Sequence, residues 1–459
     1  MSGLGWTLRV TAMDEAERRK RVIANGQTDL ERWADPVQLE AMWQARSVLA
    51  ADLVPAGSRV LELGCGAMTL ERSLPFGCSY QPCDVVARDE RTIVIDLNTH
   101  GIPSAAVAAC DLVVTLGVWE YLFKPNEVFD ALARAGRPIV CSYCPTELTA
   151  HLDRRALGWV NDFSLPAFLE LARQGGYRPA LQRQIDDLQY LVKLEFGADA
   201  HAAPVKRVHV LSYNSVGNFG DRLGFHVLNE VLPPNAEVTW GTLRPLAPVP
   251  EGLDLLVIGI GNSLFGDLID EPLIQAAGRA RASIGIFGTQ YREALPAARL
   301  GALIDRLAHW YARSEEDLLL YGRSRSNASH LGDWLINAFP LASGVDDRVL
   351  HVGREIWQEL PLDRTIQQIQ RHRKVFSERV HPLLCALTSA DEVGYREQRE
   401  SGDPALASGK FRSMLIDVFG QTYPEGVLWR VDREKVAAYK ARVRRNTKAL
   451  RSGVAGLLI

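Results

Sequence analysis

The chain has 459 residues, 47% of them hydrophobic and 23% charged, with a formal net charge of -3. This length is expected to hold two or three globular domains, and the slightly acidic balance excludes a surface built to coat nucleic acid. No apolar run reaches membrane-spanning length and Met1-Ser-Gly-Leu-Gly-Trp6 has no signal-peptide core, so a cytoplasmic protein is expected.

Residues 1–57 read as a helical cap. Asp35-Pro36 suits a helix start, and Leu39, Met42, Trp43, Arg46 and Leu49 follow at helical spacing. From Arg59 an alternation begins, with strands predicted at Arg59–Leu63, Ile93–Asp96, Leu112–Leu116 and Pro138–Ser142 and helices at Pro125–Ala135 and Leu165–Gly175. Alternating strands and helices predict a parallel sheet covered on both faces over residues 58–197, with Gln189–Phe196 as a closing strand. Gly197-Ala-Asp-Ala-His-Ala-Ala-Pro204 reads as a linker. A second alternation runs from Val205, with strands at Val208–Tyr213, Leu255–Gly259, Ala282–Gly288 and His309–Ala312. A third, shorter one has strands at Val349–Val352 and Lys374–Ser377, a helix over Arg364–His372 and another through Leu387. Glu425–Leu458 reads as a terminal amphipathic helix that completes a domain over 205–459.

The seven cysteines are scattered, and Cys141-Ser-Tyr-Cys144 is a single pair with no second pair beside it. A structural zinc site takes four ligands, so no metal is expected; these are small residues at a strand end, reduced in the cytosol.

Val60-Leu-Glu-Leu-Gly-Cys-Gly66 is a strand ending in acid-x-Gly-x-Gly, whose glycines allow a sharp turn and close approach of backbone to a ligand. With Tyr80-Gln-Pro-Cys-Asp84 and the strand from Asp111 to Leu122, it resembles the class I S-adenosylmethionine-dependent methyltransferases over residues 55–195. Glu62, Gly64 and Gly66 match the family's first motif, and Met68 stands where it has a third glycine. The resemblance implies S-adenosylmethionine as cofactor, with Asp84 on the ribose hydroxyls, Asp96 on the adenine amino group and the loop Gly117–Glu120 along the methyl donor. Tyr121 stands where many relatives have a histidine, and the alternative is a domain that keeps the fold without the catalysis.

Val208 to Asp221 runs from strand through a Gly-rich loop to a helix, and Arg379-Val-His381 stands at a strand-to-helix junction. Backbone N–H groups facing an Arg/His pair suit an anionic ligand. Asn218, Gly220 and Asp221 match the glycine signature of the polysaccharide pyruvyl transferase family, which residues 205–420 resemble. Val257-Ile-Gly-Ile-Gly-Asn-Ser263 is similar to the family's second glycine motif, Arg313 in Tyr311-Ala-Arg-Ser-Glu-Glu316 to its strand-end arginine, Arg379-Val-His381 to its Arg-Leu-His, and Tyr395 and Lys410 to a later Tyr and Lys. Two readings stay open: Asp221 faces a ligand or caps its helix, and Arg313 grips an anion or pairs with Glu315 or Glu316 at the surface.

The expected fold class is α/β: a Rossmann-like methyltransferase sheet, then a GT-B-like pyruvyl-transferase domain with a shortened second lobe. The resemblances imply pyruvyl transfer from phosphoenolpyruvate to a sugar of a surface polysaccharide, with methylation of the same glycan as partner activity. In that reaction His381, Asp221 and Arg379 are the catalytic residues, and Arg313, Asn218, Gly220 and Lys410 bind the donor. His381 suits proton transfer because an ordinary imidazole titrates near neutral pH. The rivals are a GT-B glycosyltransferase using a nucleotide sugar and a non-catalytic scaffold of glycan assembly. The expected partner is a glycan or lipid-linked sugar, with no nucleic acid. Nine basic residues between Arg430 and Arg451 form either a solvated face or a dock for an anionic lipid-linked acceptor or a membrane surface.

Overall fold

The structure is a computed structural model that describes residues 15–39, 43–197, 205–213, 218–233, 236–353, 360–400 and 403–459. The linker after Gly197 and the Tyr213-to-Asn218 loop therefore fall largely outside the described residues. The chain divides into two compact units, residues 1–203 and 204–459.

The first unit is built on strands β1 (Arg59–Leu63), β2 (Ser79–Asp84), β3 (Ile93–Val94), β4 (Leu112–Leu116), β5 (Ile139–Tyr143), β6 (Tyr177–Gln184) and β7 (Tyr190–Phe196). Their order is β3-β2-β1-β4-β5-β7-β6. The first five strands are parallel, while β7 runs antiparallel to both β5 and β6. Every residue of β4 and β5 is buried. This is what continuous apolar runs produce when helices cover both faces of a sheet. One face packs Trp119 on Phe129 at 4.1 Å between ring centres and Tyr143 on Phe168 at 4.4 Å. Asp35 starts a 3-10 turn, Pro36–Gln38, accepting from Val37 N at 3.0 Å, and a helix spans Trp43–Ala51.

The second unit holds a parallel sheet of β8 (Lys206–Ser212), β9 (Ala236–Thr242), β10 (Leu255–Ile258), β12 (Ala282–Thr289), β13 (His309–Ala312) and β14 (Ala328–His330), with β11 (Ser263–Leu264) short and paired to β12. The order is β9-β8-β10-β12-β13-β14. A separate sheet, β15 (Asp346–Val352), β16 (His372–Ser377), β17 (Glu392–Tyr395) and β18 (Trp429–Arg430), is parallel except for β18.

The terminal helix is shorter than its pattern suggests and spans Arg433–Leu457. Trp429 pairs with Val393 as a strand, and Asp432 caps the helix by accepting from Lys435 N at 3.1 Å. The basic run is not a uniform solvated face. Arg433 donates to Ala342 O and Ser389 O, Lys435 to Phe419 O and Arg442 to Asp417 O. Buried Lys440 donates to the carbonyls of Ile336, Asn337 and Phe339 at the end of the 3-10 helix Trp334–Ala338. Arg444, Arg445, Lys448 and Arg451 are exposed.

Candidate functional site

Strand order reverses between β1 and β4, and in open α/β sheets the crevice beyond the carboxyl ends at such a point is where ligands sit. The first unit has a cavity of about 440 Å³ there. The turn after β1 forms one wall. Gly64 has φ +75° and Gly66 φ +50°, and a Cβ on Gly64 would collide with Val118 Cγ2, so only glycine fits both the dihedral and the space. Met68 is also left-handed at φ 53°, immediately before the helix Thr69–Ser73. A third glycine is therefore what the backbone itself favours at that position.

Asp84 ends β2 and ties the turn down. Its Oδ2 accepts from Gly66 N at 2.8 Å, and its Oδ1 from Val85 N at 2.7 Å and Arg88 at 3.3 Å. Asp96 lies beyond β3, accepting from Thr28 Oγ1 and Asn98 N, each at 2.9 Å. Glu62, Gly64, Gly66, Asp84 and Asp96 all line the cavity. Glu62 is buried and accepts from Tyr80 Oη at 2.5 Å; burial pushes its carboxyl up to about 8, against the Tyr80 hydrogen bond and the Arg46 charge.

Three further parts complete this site: Glu120 lies in the loop expected along the methyl donor, whereas the inward role of Arg46 and the aromatic wall were not singled out in the sequence. Arg46, read as part of an apolar helical stripe, reaches inward to donate to Leu116 O, and a Cβ at Gly117 would lie 2.7 Å from its Nη1. A lone arginine within such a stripe is the signal that was there to be read. Glu120 is buried, accepts from Cys144 N at 2.7 Å through Oε1, and has no hydrogen bond to Oε2 among the described residues. Burial raises its carboxyl as well. The third part is an aromatic wall: Trp33 and Tyr121 meet edge-on at 5.0 Å, Trp159 donates to Tyr121 Oη at 3.1 Å, and the Arg32 guanidinium lies 4.5 Å from the Trp33 ring centre. Tyr121, where relatives carry histidine, thus belongs to an apolar wall. Cys141 and Cys144 are buried, free and raised by burial, so neither thiol is poised as a thiolate.

The second unit gathers the other candidates from both of its sheets. Asn218 caps the helix Phe219–Asn229, its Oδ1 accepting from Gly220 N at 3.0 Å and Asp221 N at 3.4 Å. The capping reading of Asp221 therefore falls: Asp221 is a buried first-turn residue whose charge acts on Lys410. Arg313, just after β13, is also buried, donating to Gly261 O at 2.9 Å and Ser263 Oγ at 2.8 Å. This removes its surface pairing with Glu315 or Glu316, since Glu316 pairs with Arg292 and Arg412. Arg379 precedes the helix Val380–Leu387, and His381 is the second residue of that helix. A Cβ at Gly220 would lie 2.5 Å from His381 Cε1 and 2.8 Å from Cγ, closer still to Nδ1. Lys410 opens the helix Lys410–Phe419 after a left-handed Gly409.

The charges of Arg313, Arg379 and Lys410 all act on His381. Burial, then these three cations, hold its imidazole down to about 3. The expected near-neutral histidine is therefore corrected: with no anion bound among these cations, His381 is neutral. Burial, then Arg313 and Arg379, bring Lys410 down to about 7. Tyr395 lies apart in role, stacking on Phe411 at 4.9 Å and donating to Tyr423 O at 2.8 Å.

No family model matches the chain. Regulatory protein RecX of Bacillus cereus (strain AH820) and of Bacillus anthracis are each 24% identical to it over 153 residues, 32% of this chain and 56% of the relative. The chain thus spans little more than half the length of these curated relatives. Among solved structures it is similar to human N-acetylserotonin methyltransferase in complex with SAM (15% identity, 37% of this chain and 57% of that one, TM-score 0.29). It is also similar to a SAM-dependent methyltransferase from Aquifex aeolicus (14% identity, 36% and 99%, TM-score 0.28). A third is an O-methyltransferase from neocarzinostatin biosynthesis (15% identity, 41% and 68%, TM-score 0.31). At such scores these likenesses carry no functional argument, and the chemistry rests on the residues described above. Among the described residues no helix is long and apolar enough to cross a membrane.

Proposed function

We propose that the first unit binds S-adenosylmethionine and transfers its methyl group to an acceptor held in the same cavity. One observation carries this reading: a cavity of about 440 Å³ lies at the reversal of strand order, walled by the Gly64–Gly66 turn that Asp84 holds from the next strand. The volume suits a ligand of nucleoside size, within the several hundred Å³ usual for small-molecule sites. Gly66, where a Cβ would meet only Leu39 at 3.8 Å, leaves backbone open to an amino acid moiety, Arg46 supplies a cation for its carboxylate, and Asp84 and Asp96 supply acceptors for ribose and adenine donors. Bound there, the cofactor supplies an electrophilic methyl on sulfur. The chain's part is to orient that methyl and to exclude water with Trp33, Tyr121 and Trp159. Titration calorimetry on the full chain tests the reading: S-adenosylmethionine or its demethylated product should release heat that Gly64→Ala abolishes. Absence of heat from the wild-type protein at millimolar ligand would end it.

A second reading concerns the second unit and is favoured by the gathering of Arg313, Arg379 and Lys410 around His381. Three cations around a neutral imidazole suit a small, multiply charged carboxylate-phosphate. Phosphoenolpyruvate is such an anion, and pyruvyl transfer from it to a sugar of a surface polysaccharide is the corresponding activity. The exposed Arg444, Arg445, Lys448 and Arg451 suit an anionic, lipid-linked acceptor. Ligand-induced thermal shifts separate the rivals: phosphoenolpyruvate should stabilise the protein, a glycosyltransferase would respond to a nucleotide sugar, and a scaffold would respond to neither.

A further inference from the structure

Asp333, which no motif marked, stands against His381. It precedes the 3-10 helix Trp334–Ala338 and is 2% exposed. Its position is fixed twice: its backbone N–H donates to Tyr439 Oη at 2.7 Å, and the indole of the following Trp334 donates to Ile260 O at 2.9 Å. Its Oδ2 lies 3.6 Å from His381 Nε2. Among the described residues neither carboxylate oxygen of Asp333 has a well-formed hydrogen bond, the Leu335 N–H acting on the carboxylate only weakly, and Nε2 has none either. Asp333 Oδ2 and His381 Nε2 thus face each other across a gap slightly too long for a hydrogen bond. Unsatisfied buried polar atoms are rare in folded proteins and call for a reason. The other edge of the ring, Nδ1, faces Gly220.

We propose that Asp333 and His381 form a proton-accepting pair that takes up a proton when a phosphate-bearing anion binds among Arg313, Arg379 and Lys410. Asp333 is then the positioning residue that fixes the imidazole and balances its charge once formed. The proposal rests on the reading of the second unit as an anion site. The groups acting on His381 are the three cations, and those acting on Asp333 are Arg313 and Asp417; Glu397 and Asp221 act on Lys410. In the absence of a bound anion, burial first and then the positive field of Arg313, Lys410 and Arg379 keep a proton off the imidazole. A bound dianion cancels that field, the imidazole takes up a proton and becomes doubly protonated, and its Nε2–H donates to Asp333 Oδ2 after a closure of a few tenths of an ångström. Burial raises the Asp333 carboxyl to about 6, so near pH 7 Asp333 is largely anionic and ready to accept that bond.

The test is titration calorimetry of the full chain with phosphoenolpyruvate at pH 7, in buffers of different ionisation enthalpy, which counts protons taken up per ligand. Lys410 also takes up protons as its field is cancelled, so the decisive quantity is the change on substitution. Asp333→Asn removes a carboxylate facing an anion site, so its affinity should be equal to or tighter than that of the wild type. Its proton uptake should fall by about half a proton or more per ligand. His381→Gln should show the same fall. Thermal unfolding of each variant establishes that it is folded. Unchanged uptake in folded Asp333→Asn, or wild-type binding with no uptake at all, would overturn the pair while leaving the anion site standing. Failure of the wild-type protein to bind phosphoenolpyruvate would instead overturn the anion-site reading, and the pair with it.

Discussion

Gly220→Ala gives a test whose sign depends on His381. Gly220 sits in the first turn of the helix Phe219–Asn229 with no left-handed φ, a position where alanine is ordinarily better than glycine by about 0.5–1 kcal/mol. Here the added Cβ would fall on the His381 ring, 2.5 Å from Cε1. The imidazole is 15% exposed and must leave its rotamer to make room. Forced overpacking of this kind costs about 1–3 kcal/mol, which exceeds the helix gain. The single variant should therefore melt lower than wild type, by about 2–4 °C for each kcal/mol lost in a unit of this size. In a His381→Ala background the obstacle is gone, and the same Gly220→Ala change should raise the melting temperature. Differential scanning calorimetry of the four proteins of this double-mutant cycle reads both signs. Equal effects of Gly220→Ala in the two backgrounds would show that the ring does not press on Gly220, and the placement of His381 would be wrong.

Three further outcomes are expected. Folded Glu62 keeps its proton to about pH 8, whereas an ordinary glutamate loses it near 4.5, so between those values the folded state binds more protons and stability falls as pH rises. Glu62→Gln should flatten that fall in melting curves from pH 5 to 8, and an unchanged slope would place its origin elsewhere. Lys440→Met leaves the carbonyls of Ile336, Asn337 and Phe339 without their donor, and urea unfolding should register a loss of about 1–3 kcal/mol; a neutral result would mean that water replaces the ammonium. Asp84→Asn weakens the carboxylate that accepts from Gly66 N, Val85 N and Arg88, so S-adenosylmethionine binding measured by calorimetry should drop at least about tenfold. Wild-type affinity in that variant would separate the turn from the cofactor site.

What the sequence determined by itself is local and periodic. Runs such as Leu112–Leu116 are apolar throughout because both faces of a parallel strand are covered, and the structure places β4 on those residues. The glycines at 64 and 66 announced a turn because left-handed backbone excludes most side chains. β6 and β9 went unread, since Tyr177–Gln184 carries Pro179 at a register shift and Ala236–Thr242 mixes Gly and Glu among its apolar residues, diluting both patterns. Tertiary structure decided which charges meet. Asp333 and His381 are 48 residues apart in the chain and Arg313 and Lys410 are 97 apart, and nothing in local spacing relates them. Folding also decided their chemistry. An isolated histidine titrates near neutrality and an isolated lysine far above it. The burial and shared positive field that lower both exist only once β13, the helix Val380–Leu387 and the helix Lys410–Phe419 have converged.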